Sequence, residues 1–267
     1  GFGKDGMKNV EGAFNVPVSD TVALRFSGQT QRRDDRVHNP RPTGTRDFEG
    51  YEDSAARLQV LVKPTRDFTA LFNVHARNLD GTATLFRANI LKQGTNDLVD
   101  NFDYGSYPTD GINRQHLKTK GGSMRLKWDL PGVTLHSITG YEKLDFFSRA
   151  DVDGGYGAVY APPMGPGFIP FVVETADVIP SHKQISQEFR AESSAKGPLQ
   201  WIGGLFYFKE DIQIDSISFD SLAPGNPQNS AYATQNQSSK SYAAFGSLNY
   251  TVSDALKLRA GLRYTSD

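Results

Sequence analysis

The side chains that most often do chemistry are few in this sequence, and their spacing serves none of the usual reactions. The five histidines, His38, His75, His116, His136 and His182, form no HExxH pair. There is no Cys, which excludes a thiolate zinc site, a Cys nucleophile and a disulfide framework. No GxSxG, Walker or GxGxxG run occurs. Asp151-Val152-Asp153-Gly154 opens like a calcium loop but lacks the later acidic ligand at the required offset, so it reads as an Asp-Gly turn. His75 alternates with Asn73 and Arg77 on the polar side of its segment, as a solvated residue rather than a ligand. No catalytic residue, metal ligand or cofactor follows, and the chain does not read as an enzyme.

Two groups of residues have the chemistry to bind a solute. The first is a basic stretch carrying Arg32, Arg33, Arg36, His38, Arg41 and Arg46. Guanidinium forks match carboxylates and the oxygens around a metal chelate. The same residues also read as a solvated loop neutralised in part by Asp34, Asp35 and Asp47. The second group is aromatic: Phe102, Tyr104, Tyr107, Tyr156 and Tyr160. Such rings stack on sugars or aromatic chelators, and equally well pack a loop against itself.

What must hold these residues is β-structure. The chain has 267 residues, 26 of them Gly, 17 Phe, 14 Pro and 11 Tyr, with a mean hydropathy of −0.49. Twenty-nine basic against 30 acidic residues leave no basic excess, which argues against a nucleic-acid partner. No apolar run is long enough for a membrane-spanning helix. No secretory leader opens the chain and it lacks a start Met, so a fragment or processed product is expected. A helical stripe is almost nowhere to be found. Instead, apolar and polar residues alternate over segments of about ten residues. Val22, Leu24 and Phe26 oppose Ala23, Arg25 and Ser27. Leu58, Val60 and Val62 oppose Arg57 and Gln59, and Phe72, Val74 and Ala76 oppose Asn73, His75 and Arg77. Met124, Leu126 and Trp128 oppose Arg125 and Lys127, and Leu256, Leu258, Ala260 and Leu262 oppose Lys257, Arg259 and Arg263. Strand side chains alternate faces, so each such strand has one apolar and one wet side. Val133–Asp145 and Leu199–Asp215 are apolar on both parities, which suggests a bulge that shifts the register.

The connections alternate in length. Short turns are expected at 17–20, 63–67, 131–132, 196–198 and 253–254, with long polar connections over roughly 32–53, 80–116, 149–182 and 216–239. A compact soluble domain rarely holds four structureless connections of that size. An up-and-down barrel of a bacterial outer membrane has short turns at one end and long loops at the other. Phe14–Arg25 and Leu248–Arg259 share the pattern apolar-Asn-apolar-x-Val-Ser-Asp-x-apolar-x-Leu-Arg, as if two distant hairpins used one turn chemistry. In such a barrel the apolar parity faces lipid, on the convex side, and Arg25, Arg57, Arg77, Arg125, Arg190, Arg259 and Arg263 face the concave lumen. Phe14, Trp128, Trp201, Tyr250 and Tyr264 would form an interfacial girdle. A soluble sandwich, with its apolar parity against a second sheet, is the alternative.

Several runs resemble TonB-dependent receptors. Glu11–Arg25 looks like their early barrel. Ser137-Ile138-Thr139-Gly140-Tyr141-Glu142, Gln187-Glu188-Phe189-Arg190 and Trp201–Tyr207 are similar to middle strands. Ser241–Gly246 and Leu258–Thr265 continue the match in order. The resemblance covers essentially the whole chain and implies a partial barrel domain over residues 1–267. That domain would be an all-β, antiparallel, up-and-down transmembrane segment of about ten strands with long outer loops, an open arc of a 22-stranded barrel without its plug. It implies a bacterial outer-membrane active transporter whose partners are membrane lipid, a plug domain and the TonB complex (both outside this chain), and a large solute such as a ferric siderophore. Other expectations are cobalamin, haem or oligosaccharide cargo, a passive porin, or a soluble carbohydrate-binding β domain. The expected ligand contacts are Arg32, Arg33, Arg36, His38, Arg41, Tyr104, Tyr107, Tyr156 and Tyr160. The first strand, near 7–15, and the last, near 256–264, are expected not to pair.

Overall fold

The computed structural model describes residues 1–41, 47–160, 167–229 and 233–267. Among these residues there is no helix. Twelve strands form: β1 (Lys8–Ser19), β2 (Val22–Arg33), β3 (Tyr51–Val62), β4 (Phe68–Gly81), β5 (Arg114–Leu130), β6 (Val133–Asp151), β7 (Val159–Tyr160), β8 (Gly167–Phe168), β9 (Glu174–Ser193), β10 (Leu199–Ser218), β11 (Ala233–Ser253) and β12 (Leu256–Ser266). Strands β7 and β8 make a small hairpin of their own. The other ten form one antiparallel sheet in the order β1-β2-β3-β4-β5-β6-β9-β10-β11-β12. Every neighbour in that sheet is the next long strand in sequence, as short hairpin links require. Strands β1 and β12 are its two edges and share no ladder.

The turns follow from their residues. Pro131-Gly132 joins β5 to β6, with Gly132 at φ 81°. Proline presets the first corner of a type II turn and glycine accepts the positive φ of the second. The two matching motifs fold alike. The register slips between Pro17 and Ser19 opposite β2, and between Thr251 and Ser253 opposite β12. Each hairpin thus carries a bulge one residue before its Ser-Asp corner, and the Thr21 amide donates to Ser19 Oγ at 3.3 Å. The first turn is therefore Asp20-Thr21 rather than 17–20. Pro17 is tolerated inside β1 because β1 is an edge strand and the site is a bulge.

The expected register shifts occur at the far ends of the two segments that are apolar on both parities. One falls between Leu144 and Phe146, and the other between Gln213 and Asp215. Both surround Ile179-Pro180 of β9. A proline inside a central strand has no N–H for the ladder, and a bulge on either side absorbs the loss. The double apolar parity has a different cause. Ile138 and Leu144 of β6, Ile202 and Phe206 of β10 and Phe245 of β11 add apolar residues to the otherwise polar face. The Phe245 ring lies over Gly204, where a Cβ would meet it at 2.5 Å.

The register separates the two faces across all ten strands. Phe14, Phe26, Leu58 and Val74 are successive partners, as are Phe189, Leu205, Ala244 and Tyr264. Phe72, Val74, Phe189, Leu205, Leu258 and Leu262 are all exposed on this side, Leu262 at 82 %. Arg25, Arg57, Arg77, Arg125, Arg190, Arg259 and Arg263 all occupy the opposite side. There, cross-strand pairs hold the charges: Arg77 with Asp53 at 2.8 Å, His75 with Glu142 at 3.1 Å, His136 with Glu192 at 3.0 Å and His182 with Glu210 at 2.9 Å. The apolar band is one membrane strand tall, for example Tyr242 to Tyr250 on β11. Its few polar side chains satisfy one another: Thr139 Oγ1 donates to Gln187 at 2.6 Å, and Gln187 donates to Ser137 Oγ at 3.1 Å. The strands extend beyond the expected ends at the long-loop side, which shortens those connections.

Candidate functional site

The long connections gather at one end of the sheet and pack on each other. Val37, Phe48 and Tyr107 form a small core with Leu85 against it, and Phe48 and Tyr107 meet edge to face at 5.8 Å. The stretch after β2 joins the stretch before β5 by backbone bonds: the His38 amide donates to Gly105 O at 2.7 Å, and the Tyr107 amide donates to His38 O at 2.9 Å. Asn39 extends the seam by donating to Thr109 O at 3.2 Å and accepting from the Thr109 amide at 3.3 Å.

Beneath this seam lies a buried polar knot. Asp151, Asp153, Glu174, Thr109 and Asn113 are each less than one-tenth exposed. Buried carboxylates need donors, and the loops supply them. Thr109 Oγ1 donates to Asp151, the Asp153 amide donates to Asp151 Oδ1 at 3.2 Å, and the Gly155 amide donates to Asp153 Oδ1 at 3.1 Å. Glu174 accepts from Arg149, Asn226 and the Ile112 amide. Arg149 also stacks on Phe219, 3.6 Å from the ring centre. Three connections are thereby tied to the ends of β6 and β9, and the one after β2 joins them through Asn39 and Thr109. Desolvation, aided by the nearby Asp151 charge, pushes the Asp153 carboxyl up to about 7. Burial likewise raises Asp110, and it raises the Tyr107 hydroxyl well above its usual range.

The nine candidate contacts divide by position. Arg32 is exposed and faces Asp34 at 3.3 Å and Glu52 at 3.6 Å. Arg33 donates through Nε to Glu49 O at 3.2 Å and lies over Tyr51. Arg36 is paired with Glu49, and His38 Nδ1 meets Asp47 at 3.0 Å. Tyr107 is 2 % exposed, with its hydroxyl donating to Phe86 O at 2.8 Å. Tyr160 donates to Asp153 O at 2.7 Å. Arg46 lies outside the described residues. Arg41 and Tyr156 are brought together from loops far apart in sequence: the guanidinium carbon sits 3.2 Å from the ring centre. Tyr104 is 70 % exposed and touches Phe102 edge-on at 4.7 Å. Arg87 lies over Phe102 and Tyr107 and donates to the carbonyls of Tyr104 and Ser106. The loop end thus presents cationic and aromatic groups above a fixed carboxylate floor. Sequence reasoning missed Arg87, Asp110 and Glu174, which lie in polar stretches with no periodicity. It noted Asp151 and Asp153 only as a turn.

A family model described as TonB dependent receptor-like, beta-barrel, matches residues 19–267. Among solved structures, the chain is similar to the ferric yersiniabactin uptake receptor FyuA from Yersinia pestis, with a TM-score of 0.73 and 14 % identity over 98 % of this chain and 37 % of that one. The ferric-catecholate import receptor Fiu from E. coli K12, in its open form, gives 0.67 and 14 % over 99 % of this chain and 43 % of that one. The copper transporter OprC gives 0.58 and 13 % over 99 % and 38 %. The chain therefore spans less than half the length of these structures. Such receptors work with TonB and bind large solutes, and theirs is a transport family rather than an enzyme family. An open ten-stranded wall, apolar on one side and arginine-lined on the other, is what one stretch of such a barrel must be, and the chain belongs to the TonB-dependent receptor-like β-barrel family of the outer membrane of Gram-negative bacteria.

Proposed function

We propose that residues 1–267 are a partial barrel domain of an active transporter for ferric siderophores. The apolar face meets lipid, and the polar face lines the lumen against a plug driven by TonB. The loop cluster captures the solute. The observation that carries the cargo reading is the Arg41–Tyr156 stack, which brings a guanidinium and a phenol ring together from two distant loops at the long-loop end. A ferric chelate is a large anionic or aromatic body, and guanidinium and phenol rings recognise such a body without ligating the metal. Among the described residues no group of three His, Cys, Asp or Glu side chains is placed to hold a bare ion. That two of the similar structures are named for ferric chelates supports the same reading. No covalent chemistry is part of it.

The test is uptake of labelled ferric hydroxamate and ferric catecholate complexes by cells that carry the full-length receptor as their sole route. Uptake should stop when TonB is deleted and fall about tenfold in the Arg41→Ala/Tyr156→Ala variant at equal receptor levels. TonB-independent uptake would indicate a porin. Saturable transport of cobalamin, haem, an oligosaccharide or copper in place of both chelates would replace the cargo.

A further inference from the structure

Residues 82–89 follow β4 and form neither helix nor strand, so their polar groups must find partners outside the segment. The Ala83 amide donates to Asn113 Oδ1 at 2.7 Å, and Phe86 O accepts from the Tyr107 hydroxyl. Arg87 then reaches into the turn that carries exposed Tyr104. Its guanidinium donates to Ser106 O at 2.5 Å, to Tyr104 O at 3.0 Å and to Asp103 O at 3.4 Å. Asp103 Oδ1 closes the same turn by accepting from the Gly105 amide at 2.8 Å. The next two residues hold the other aromatic arm, which carries Tyr156. The Ala88 amide donates to Gly154 O at 3.1 Å. The Asn89 side chain pairs with the Val159 backbone, donating to its carbonyl at 2.9 Å and accepting from its amide at 2.8 Å. Asn89 has φ 57°, a left-handed conformation that asparagine tolerates better than most residues. The approach is close. A Cβ on Gly154 would lie 2.3 Å from Ala88 Cβ, and one on Gly155 would lie 2.9 Å from Tyr107 Cε2. Three consecutive residues, 87–89, thus fasten two loops that are far apart in the chain.

We propose that Arg87 and Asn89 are positioning residues: they fix the Tyr104 and Tyr156 arms to one strap and so set which solutes the loop end accepts. This rests on the reading that the loop end captures the solute. The physical reason is preorganisation. An arm held before binding loses little further freedom when a solute stacks on it, whereas a loose arm loses rotamer and backbone freedom at that moment. A fixed pair of arms also favours the chelate that matches their spacing, and a loose pair adapts to many. Arg87 suits the task because its planar fork presents several donors in fixed geometry, which an ammonium on a flexible stem does not. It acts on the turn from behind, through backbone carbonyls, and leaves the Tyr104 ring free to meet the solute.

The test uses the full-length receptor in lipid nanodiscs with a fluorotyrosine at position 104 or 156, read by fluorine NMR. Affinities for a ferric tris-catecholate and a ferric trihydroxamate are measured in parallel with iron-labelled complexes. Arg87→Gln should change the resonance at 104 and leave that at 156 in place. Asn89→Gly keeps the positive φ but removes the side-chain bonds, and should do the reverse. Each variant should bind the preferred chelate about three- to tenfold more weakly, and the ratio of the two affinities should fall toward one. Arg87→Lys keeps the charge but not the fork, and should behave as Arg87→Gln. Wild-type affinity in Arg87→Lys would make Arg87 a charge that attracts the solute and would overturn the positioning role. So would resonances that stay in place or move together in each variant, or an unchanged affinity ratio. If the wild-type receptor binds neither chelate, the cargo reading fails, and the arm-by-arm resonances still decide whether the strap positions the arms.

Discussion

At the scale of single residues, the loop end is held by charges that the surrounding protein has made uncomfortable. Asp153 is 5 % exposed, and desolvation together with Asp151 raises its carboxyl pKa to about 7. A raised carboxylate pKa means that the folded loop holds a proton which the unfolded loop has released. Loop stability is therefore greatest at low pH and falls as pH rises from about 4 through 7. Asp153→Asn keeps an acceptor for the Gly155 amide but cannot ionise. Above pH 7, amide exchange across residues 155–160 of the full-length receptor should be several-fold slower in the variant than in wild type, and near pH 4 the two should converge. Faster exchange in the variant at pH 8 would contradict the assignment. Arg41 and Tyr156 are a different case, because they stack at the surface. Tyr156→Phe keeps the ring and its cation–π contact, worth about 0.5–1 kcal/mol at an exposed site. It should therefore leave chelate uptake within about twofold, whereas Tyr156→Ala should not.

At the scale of elements, the faces of the strands are set by alternation and their heights by register. Leu205 lies in the middle of the apolar band, between Phe189 and Ala244. Leu205→Arg should cost about 2–4 kcal/mol in folding of the complete receptor into bilayers, read as a shift of its urea midpoint. Ser247→Arg, on the polar face of the neighbouring strand, should shift it far less. The Phe245 ring over Gly204 predicts a second asymmetry. Gly204→Val places methyl groups where the ring and Phe189 O already are, and overpacking of that kind costs about 1–3 kcal/mol. Gly203→Val, facing lipid on the same strand, has no contact nearer than 3.6 Å and should be nearly neutral. These heights also account for the register slips. Pro180 required a bulge somewhere in β9, and Ile179-Pro180 is where both flanking ladders shift.

At the scale of the whole molecule, the ten-stranded sheet leaves two unpaired edges, β1 and β12, and an apolar face with no second layer. Unpaired backbone groups cannot be satisfied in hydrocarbon, so an open sheet does not stand alone in a membrane. Produced as residues 1–267, the chain should aggregate in detergent and show no heat-resistant folded band on a gel. The same residues within the complete receptor should show one. A folded, monomeric 267-residue species would mean that β1 and β12 can close on each other. That closure is disfavoured because a ten-stranded lumen is narrow, and the polar face would bring many Arg, His and Glu side chains into it.

The sequence by itself determined the strands, their two faces, their up-and-down order and the two matching Ser-Asp hairpins, although their turn residues are Asp20-Thr21 and Asp254-Ala255. All of these rest on local alternation and turn chemistry, which neighbours in the chain dictate. Tertiary structure alone decided which distant residues share a height. Arg41 meets Tyr156, and Glu174 meets Arg149 and Asn226, because cross-strand register sums the lengths of every loop and bulge between them. No window of sequence contains that sum. The carboxylate floor was illegible for a related reason. An Asp in a polar loop looks solvated until the other loops close over it, and only the folded packing tells a buried, hydrogen-bonded carboxylate from one left in water.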